Sequence, residues 1–140
     1  MKVKALAVII LVAVMCWACD KTPTTPDIPQ PKYKITDLNG TWKGTTTSGS
    51  FVVDWTIDVS QGHATGTGKT GANCNVDCTW TINADTGKVT GSGSISGWFA
   101  STSGVGSCSW DLQLSQDKMT LSGTSKCYNY ASMGTNLTKQ

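Results

Sequence analysis

Residues 62–70 have the sequence GHATGTGKT, which contains the residue types of a glycine-rich loop that binds nucleotide phosphates. Such a loop needs a glycine, four further residues, and then Gly-Lys-Ser/Thr at the start of a helix. Here Gly62 comes one position too early, and His63 occupies the place of the first glycine. A strand rather than a helix is expected to continue from Thr70. The pattern therefore predicts no phosphate binding, and we expect no nucleotide ligand.

Few other residues could carry out catalysis. The only histidine is His63, which we expect in a polar turn. Asp54 and Asp58 fall on the same face of an extended segment, but four residues at about 3.3 Å each place them about 13 Å apart. That separation is too large for a pair of catalytic carboxylates. The sequence therefore predicts no catalytic residues and no enzyme activity. A hydrolase with an acidic pair in a groove stays open as an alternative.

Cysteines are the other reactive side chains, and four of the six lie beyond the N-terminal region, at Cys74, Cys78, Cys108 and Cys127. They lack the two close Cys-x-x-Cys pairs of a structural zinc site, so we predict no metal. In an exported chain, disulfides are the default state of such cysteines. The alternation of the flanking residues favours Cys74 with Cys78 and Cys108 with Cys127, because both pairings place apolar neighbours on one face.

The first 18 residues are typical of a secretion signal. Lys2 and Lys4 precede an apolar run, residues 5–14, that is too short to span a bilayer comfortably. The following MCWACD is similar to the lipidation site of bacterial lipoproteins, in which a cysteine after a small residue carries the lipid. Cys19 follows Ala18 and is the predicted site, which implies fatty acids such as palmitate, a membrane partner and a place in the bacterial cell envelope. An ordinary cleaved signal or an uncleaved anchor is the alternative.

Composition divides the rest of the chain into a tether and one domain. Residues 19–36 are rich in proline and threonine, cannot form a core and are expected to stay extended. Residues 37–140 are enough for one small domain. Without residues 1–18 the chain keeps nine of its eleven lysines and all nine aspartates, and it has no arginine or glutamate. This zero balance argues against a nucleic-acid partner, which needs clustered basic residues.

Abundant glycine, serine and threonine, together with few strong helix formers, predict an all-β domain. In SFVVDWTIDVS, residues 50–60, apolar side chains occupy every second position, as in a half-buried strand. Similar segments separated by turn residues follow along the chain. Strands are expected at residues 40–48, 50–60, 64–72, 78–84, 89–99, 107–115, 120–127 and 131–139. Eight short strands joined in sequence favour an antiparallel up-and-down barrel, with a β-sandwich as the alternative.

Glycines opposite bulky residues support closure into a barrel. Tight hairpins would set Gly44 and Gly68 on either side of Trp55, and Gly66 opposite Ile57. The large side chains then fill the space that the glycines leave, as the interior of a small barrel requires. Further inward positions are Trp42, Trp80, Trp110, Leu112, Leu114, Met133 and Leu137.

One end of this barrel is predicted to hold a ligand-binding mouth. It lies far from the tether and combines both expected disulfides with the longest loop and several aromatic residues. The tentative ligand-binding residues are Trp98, Phe99, Tyr128 and Tyr130. Loops on rigid scaffolds and barrel mouths are common binding places. The alternative is that Phe99 plugs the barrel and Trp98 packs beneath the loop.

The chain resembles the calycin superfamily, which includes lipocalins and avidins, at LNGTWKG, residues 38–44, and at GHATGTG, residues 62–68. Barrels of that superfamily begin with a similar Gly-x-Trp. The resemblance implies a closed antiparallel barrel with any ligand inside one end. The biotin contacts of avidin do not carry over, because Gly68 stands where a tyrosine is expected and Gly44 where a polar residue is expected.

These features predict a lipid-anchored, non-enzymatic, lipocalin-like β-barrel of the cell envelope, in either membrane. Its expected partner is a small hydrophobic ligand at the end of the barrel distal to the anchor. No cofactor is expected. The alternative is a structural or adhesive surface module whose barrel is filled and takes no small molecule.

Overall fold

The computed structural model describes residues 30–70, 72–97, 105–128 and 130–140. Within them, one compact unit spans Pro31–Gln140. It begins with a 3-10 helix, Ile35–Leu38, in whose first turn the Lys34 backbone N–H donates to the Asp37 carboxylate at 2.9 Å. The strands that follow are β1 (Gly40–Ser48), β2 (Phe51–Ser60), β3 (His63–Thr70), β4 (Ala72–Ile82), β5 (Lys88–Gly97), β6 (Val105–Leu114), β7 (Thr120–Cys127) and β8 (Met133–Lys139). No helix in these ranges has the length and apolar character needed to cross a membrane.

The strands form one closed barrel in sequence order, each antiparallel to its neighbours. β8 pairs with β1 to complete the ring, with Thr46 opposite Thr135. The predicted up-and-down barrel is therefore confirmed, and the β-sandwich alternative is wrong. β1 and β7 have the predicted bounds, whereas β4 begins at Ala72 rather than at residue 78.

Alternation of side chains builds the core. The buried positions of β2 are Val53, Trp55, Ile57 and Val59, each separated by an exposed or half-buried residue. Four tryptophans are 3% exposed or less: Trp42, Trp55, Trp80 and Trp110. The centroid of the Trp110 ring system lies 5.5 Å from that of Trp55 and 5.8 Å from that of Trp80. The indoles therefore fill much of the interior, as the pairing of large residues with glycines predicted.

Glycines shape the barrel by allowing neighbouring strands to approach closely. A Cβ atom at Gly44, Gly66, Gly93 or Gly123 would overlap a backbone carbonyl oxygen of the adjacent strand. One such glycine lies on each of β1, β3, β5 and β7. Glycines at regular positions permit the sharp bends that a sheet needs to close into a small barrel. A Cβ at Gly68 or Gly91 would instead overlap the indole of Trp55 or Trp80.

One end of the barrel, which we call the closed end, is sealed by the 3-10 helix. Leu38 is fully buried, and its carbonyl oxygen accepts a hydrogen bond from Trp42 Nε1 at 2.7 Å. Lys139, near the end of β8, places its ammonium 5.5 Å from the centre of the Trp42 ring system and donates to the Asp37 carbonyl oxygen at 2.9 Å. Tyr33, which precedes the helix, is only 3% exposed. These contacts fix the chain across this end.

The cysteines behave differently in the two predicted pairs. Cys108 and Cys127 lie directly opposite each other on β6 and β7 and form a disulfide, which confirms that prediction. Cys74 and Cys78 are both free and buried, so the predicted bridge between them is wrong. Both belong to β4, and four residues of extended chain separate them by about 13 Å, beyond the reach of a disulfide.

The cause of that error is the register between β3 and β4. The predicted strands at residues 64–72 and 78–84 placed the turn of the chain between Cys74 and Cys78. In the structure Gly68 lies opposite Cys74 and Ala64 opposite Cys78, because Thr70 pairs with Ala72. The segment CNVDC is therefore the middle of a strand and not a turn at the far end of the barrel.

Candidate ligand-binding site

The end of the barrel opposite the closed end, which we call the mouth, contains an open pocket of about 300 Å³. The described residues that line it are Ser48, Phe51, Tyr130, Ala131 and Met133. Ser48 is the last residue of β1, Phe51 the first of β2 and Met133 the first of β8. Each follows the inward alternation of its strand, so the pocket lies over the interior of the barrel.

The lining of the mouth pocket is mainly apolar. Phe51 and Tyr130 supply aromatic rings, and Met133 supplies a thioether. Tyr130 is 55% exposed. Ser48 adds one hydroxyl, and none of the five described lining residues carries a charge. A pocket of this kind suits a small apolar molecule, and its volume is at the lower limit for ligand sites, about 300–1,000 Å³.

A cluster of hydroxyls, which we call the hydroxyl triad, lies beneath the pocket and consists of Thr46, Ser125 and Thr135. All three residues are buried, at 0%, 2% and 4% exposure. The Thr135 hydroxyl lies 2.9 Å from both the Thr46 and the Ser125 hydroxyl, whereas Thr46 and Ser125 are 3.4 Å apart. Trp55 Nε1 donates to the Thr46 hydroxyl at 2.9 Å. Buried polar groups need partners, and these four satisfy one another.

Strand register places the hydroxyl triad next to the pocket. Met133, which lines the pocket, lies directly opposite Ser125 on β7. Thr46 and Thr135 lie opposite each other, two residues further into the barrel than Ser48 and Met133. Pocket and triad therefore share the same sector of the barrel, with the Met133 side chain at their boundary.

The aromatic residues predicted for the mouth do not all meet in this pocket. Tyr130 lines it. Tyr128 has a positive φ of 55° and packs its ring over Gly106, where a Cβ would overlap it. Its hydroxyl is buried and has no hydrogen-bond partner among the described residues. Trp98 and Phe99 lie outside the described residues.

The sequence reasoning missed four of the five described pocket residues and the whole hydroxyl triad. Ser48, Phe51 and Met133 were available as inward positions at strand ends, but nothing in a single strand indicates that they meet. Ser48 and Phe51 meet across the hairpin of β1 and β2, but Met133 joins them only through the pairing of β8 with β1, which closes the ring. The signal that indicates them is the closed eight-strand register, which sets the ends of β1, β2 and β8 side by side.

The two free thiols are poorly suited to nucleophilic chemistry. Burial raises the pKa of both Cys74 and Cys78, which keeps the thiols protonated. The Trp110 side chain opposes this rise at Cys78, and the charge of Asp77 adds to it. The indole N–H groups of Trp80 and Trp110 have no hydrogen-bond partner of ordinary geometry in the described chain.

His63 has an unpredicted partner on the outer surface. Its Nε2 lies 2.8 Å from a carboxylate oxygen of Asp77, and both side chains are more than half exposed. The serine directly opposite Asp77 is Ser94 on β5, whereas His63 lies on β3, the other neighbour of β4. A catalytic triad requires the histidine between the serine and the aspartate, and here the aspartate lies between the other two. Within the described ranges, no group of three or more His, Cys, Asp or Glu residues could hold a metal ion.

Comparison of the chain with protein-family models, with curated proteins and with solved structures gave no match. The candidate site is therefore defined by geometry: an uncharged apolar pocket at the mouth, above a buried set of neutral hydroxyls. The barrel positions both features, since every residue of the triad and three of the five described pocket residues belong to strands.

Proposed function

We propose that this protein is a lipid-anchored, non-enzymatic β-barrel of the bacterial cell envelope that binds a small hydrophobic molecule at its mouth. The observation that carries the proposal is the apolar pocket of about 300 Å³ at the end opposite the 3-10 helix. The closed end, sealed around Trp42, leaves the mouth as the side from which a ligand would enter.

A calycin-like ancestry is part of the proposal. The Gly-x-Trp at residues 40–42 begins β1 of a closed eight-strand antiparallel barrel, which is the architecture that the resemblance implied. Trp42 packs beneath the 3-10 helix and seals one end. Support for the likeness is thus the position of the motif in the barrel together with the closure.

Ligand binding can be tested with the neutral fluorophore N-phenyl-1-naphthylamine and the full domain. We expect saturable binding that weakens at least severalfold in Tyr130→Ala, because Tyr130 lines the pocket with an exposed ring. Met119→Ala is the matched control, since Met119 is also exposed but lies outside the described pocket lining. Absence of saturable binding, or equal loss in both variants, would contradict the proposal.

Anchoring at Cys19 is supported by the sequence of residues 1–19 alone. Labelling of cells with radioactive palmitate should mark the natural chain and Cys16→Ala but not Cys19→Ala. The Cys19→Ala protein should also lose its association with the membrane fraction. Label retained in Cys19→Ala would show that the lipid is attached to another residue.

The second candidate function is that of a structural or adhesive surface module. It is favoured by the tryptophans that fill the barrel: Trp42, Trp55, Trp80 and Trp110 are all at most 3% exposed. Such a module would use the barrel as a rigid support and need no ligand. The fluorophore titration separates the two candidates, because a filled module gives no saturable signal.

A further inference from the structure

We propose that the hydroxyl triad is the polar end of the ligand site, so that the ligand is an uncharged molecule with an apolar body and one neutral hydrogen-bonding group. This inference rests on the proposed function and deepens it. The juxtaposition that carries it is Met133, which lines the mouth pocket and lies directly opposite Ser125 of the triad.

The triad is unusual for its surroundings. Its three hydroxyls lie at 4% exposure or less, within a core made of tryptophan, leucine, isoleucine and valine. One hydroxyl would be enough to accept the Trp55 N–H, which bonds to Thr46 alone. Ser125 and Thr135 are therefore not needed to satisfy the indole, and their mutual hydrogen bonds offset a burial cost that apolar side chains at the same positions would not incur.

Ser125 is the member best placed to bond to a ligand. Its contact with Thr46 is the longest of the triad, at 3.4 Å against 2.9 Å for the other two. The hydroxyl of Ser125 can therefore turn toward a ligand oxygen while giving up only a weak interaction. Meanwhile Thr135 can still donate to Ser125, so the triad stays connected.

Met133 is the side chain that a ligand must displace. It is 4% exposed, lines the pocket and begins β8. Methionine is unbranched and changes rotamer easily, so it adapts to a neighbour at low cost. Movement of its thioether would join the pocket to the triad without any change in the backbone register of β7, β8 and β1.

The absence of charge decides the class of ligand. The described lining of the pocket is Ser48, Phe51, Tyr130, Ala131 and Met133, and the triad adds only hydroxyls. A carboxylate or ammonium buried there would have no opposite charge beside it among these described residues, and burial of an unpaired charge is strongly unfavourable. Hydroxyls donate and accept, so they suit an alcohol, a ketone or an aldehyde.

Three probes with one ring system test this inference by equilibrium dialysis: naphthalene, 1-naphthol and 1-naphthoate at pH 7. The natural protein should bind 1-naphthol about fivefold more tightly than naphthalene, the gain expected from one hydrogen bond. It should bind 1-naphthoate most weakly. In Ser125→Ala the preference for 1-naphthol over naphthalene should disappear, while binding of naphthalene stays the same.

Ser122→Ala is the matched control, because Ser122 also belongs to β7 but is exposed on the outer face. It should keep the full preference. Thr135→Ser, which keeps the hydroxyl, should keep it as well. If Ser125→Ala folds poorly, the comparison of the three probes on the natural protein still tests the inference. Equal binding of naphthalene and 1-naphthol, or tightest binding of 1-naphthoate, overturns the inference but leaves the hydrophobic pocket in place. Failure of all three probes to bind overturns the proposed function and the inference together.

Discussion

The closed end and the mouth of this barrel are stabilised by different means. At the closed end, Trp42 is fully buried beneath Leu38, and Lys139 packs over its ring while bonding to the Asp37 carbonyl. At the mouth, Tyr130 is 55% exposed and an open pocket takes the place of such a seal. Among the described residues, side-chain burial therefore stabilises one end and is incomplete at the other.

A covalent link lies toward the end with the weaker packing. The disulfide between Cys108 and Cys127 joins β6 to β7 close to the mouth ends of both strands. It constrains the unfolded chain and so adds stability without filling space in the native barrel. The comparison suggests that a small barrel can leave one end open when a cross-link offsets the burial that is lost there.

The largest expected effect comes from removing the seal of the closed end. Trp42→Ala should lower the free energy of unfolding by about 4 kcal/mol, since the substitution empties a fully buried indole site. Phe51→Ala at the half-buried rim of the mouth should cost about 1 kcal/mol. Urea unfolding followed by circular dichroism measures both values. Equal costs would show that the two ends are packed alike and would refute the comparison.

The next largest effect should come from the disulfide. Cys108→Ala/Cys127→Ala should lower the free energy of unfolding by roughly 3 kcal/mol, because the bond closes a loop with a sequence separation of 19 residues. Cys74→Ala should cost less than that, because it is a small change at a free, buried thiol. Reduction of the natural protein with dithiothreitol should lower its stability toward that of the double variant. A double variant as stable as the natural protein would show that the mouth needs no cross-link.

Much of the fold was predictable because it is local. Each tight hairpin fixes the register of its two strands, and the side-chain alternation fixes which face is buried. Trp55 opposite Gly44 and Gly68, and Ile57 opposite Gly66, were all predicted from such hairpins and are confirmed. The sequence also predicted the disulfide of β6 and β7 in this way, since its two cysteines face each other across one hairpin.

The register of β3 and β4 could not be predicted by the same local argument. The predicted and observed registers differ by an even number of residues, so both place Cys74, Cys78 and Trp80 inward, and the burial pattern does not distinguish them. Pairing across the barrel does distinguish them. The predicted turn left residues 64–67 of the third strand without a partner on the fourth, and a closed barrel has no such free edge.

The candidate site was the least predictable part, because its residues are distant in sequence. Thr46 and Thr135 meet only when β1 and β8 close the ring, 89 residues apart in the chain. The prediction from aromatic residues included Tyr130, which lines the pocket, but not the small hydroxyls, which are common on every strand. Closure of the barrel, rather than residue type, selects the three that are buried.

A smaller effect is expected from the glycines that allow strands to approach. Gly66→Ala should lower the free energy of unfolding by about 2 kcal/mol, because the new methyl group would overlap the Thr56 carbonyl oxygen and force the backbone of β2 and β3 apart. Gly134→Ala is the matched control near the mouth, where the nearest atom to a new Cβ is 3.8 Å away. It should change stability by less than about 0.5 kcal/mol. A large cost at Gly134 would show that the mouth is packed as tightly as the body of the barrel.

The smallest effect concerns the ion pair of the closed end and depends on pH. Asp37 lies 2.8 Å from the Lys118 ammonium, and its side chain is 17% exposed. Burial acts to raise the pKa of Asp37, but the hydrogen bonds from Lys118 and the Lys34 backbone, with the charges of Lys118 and Lys139, lower it below the ordinary value of 3.8. A lowered pKa in the folded state means that the ionised form adds stability above the ordinary pKa, and that this contribution disappears as the pH falls through the folded pKa.

Asp37→Asn should therefore destabilise the protein at pH 7 by less than about 1 kcal/mol, because the Lys118 partner is partly exposed and solvent screens the pair. The difference between the natural protein and the variant should persist down to about pH 4 and shrink below it, toward zero once the natural carboxylate is protonated. Asp111→Asn is the control, since the pair of Asp111 with Lys88 has both side chains more than half exposed, and it should change stability little at any pH. Thermal unfolding at pH 7, 4 and 2.5 measures these differences. A deficit in Asp37→Asn that stays constant to pH 2.5 would assign the role of Asp37 to packing at the helix rather than to its charge, and the closed end would then depend on burial alone.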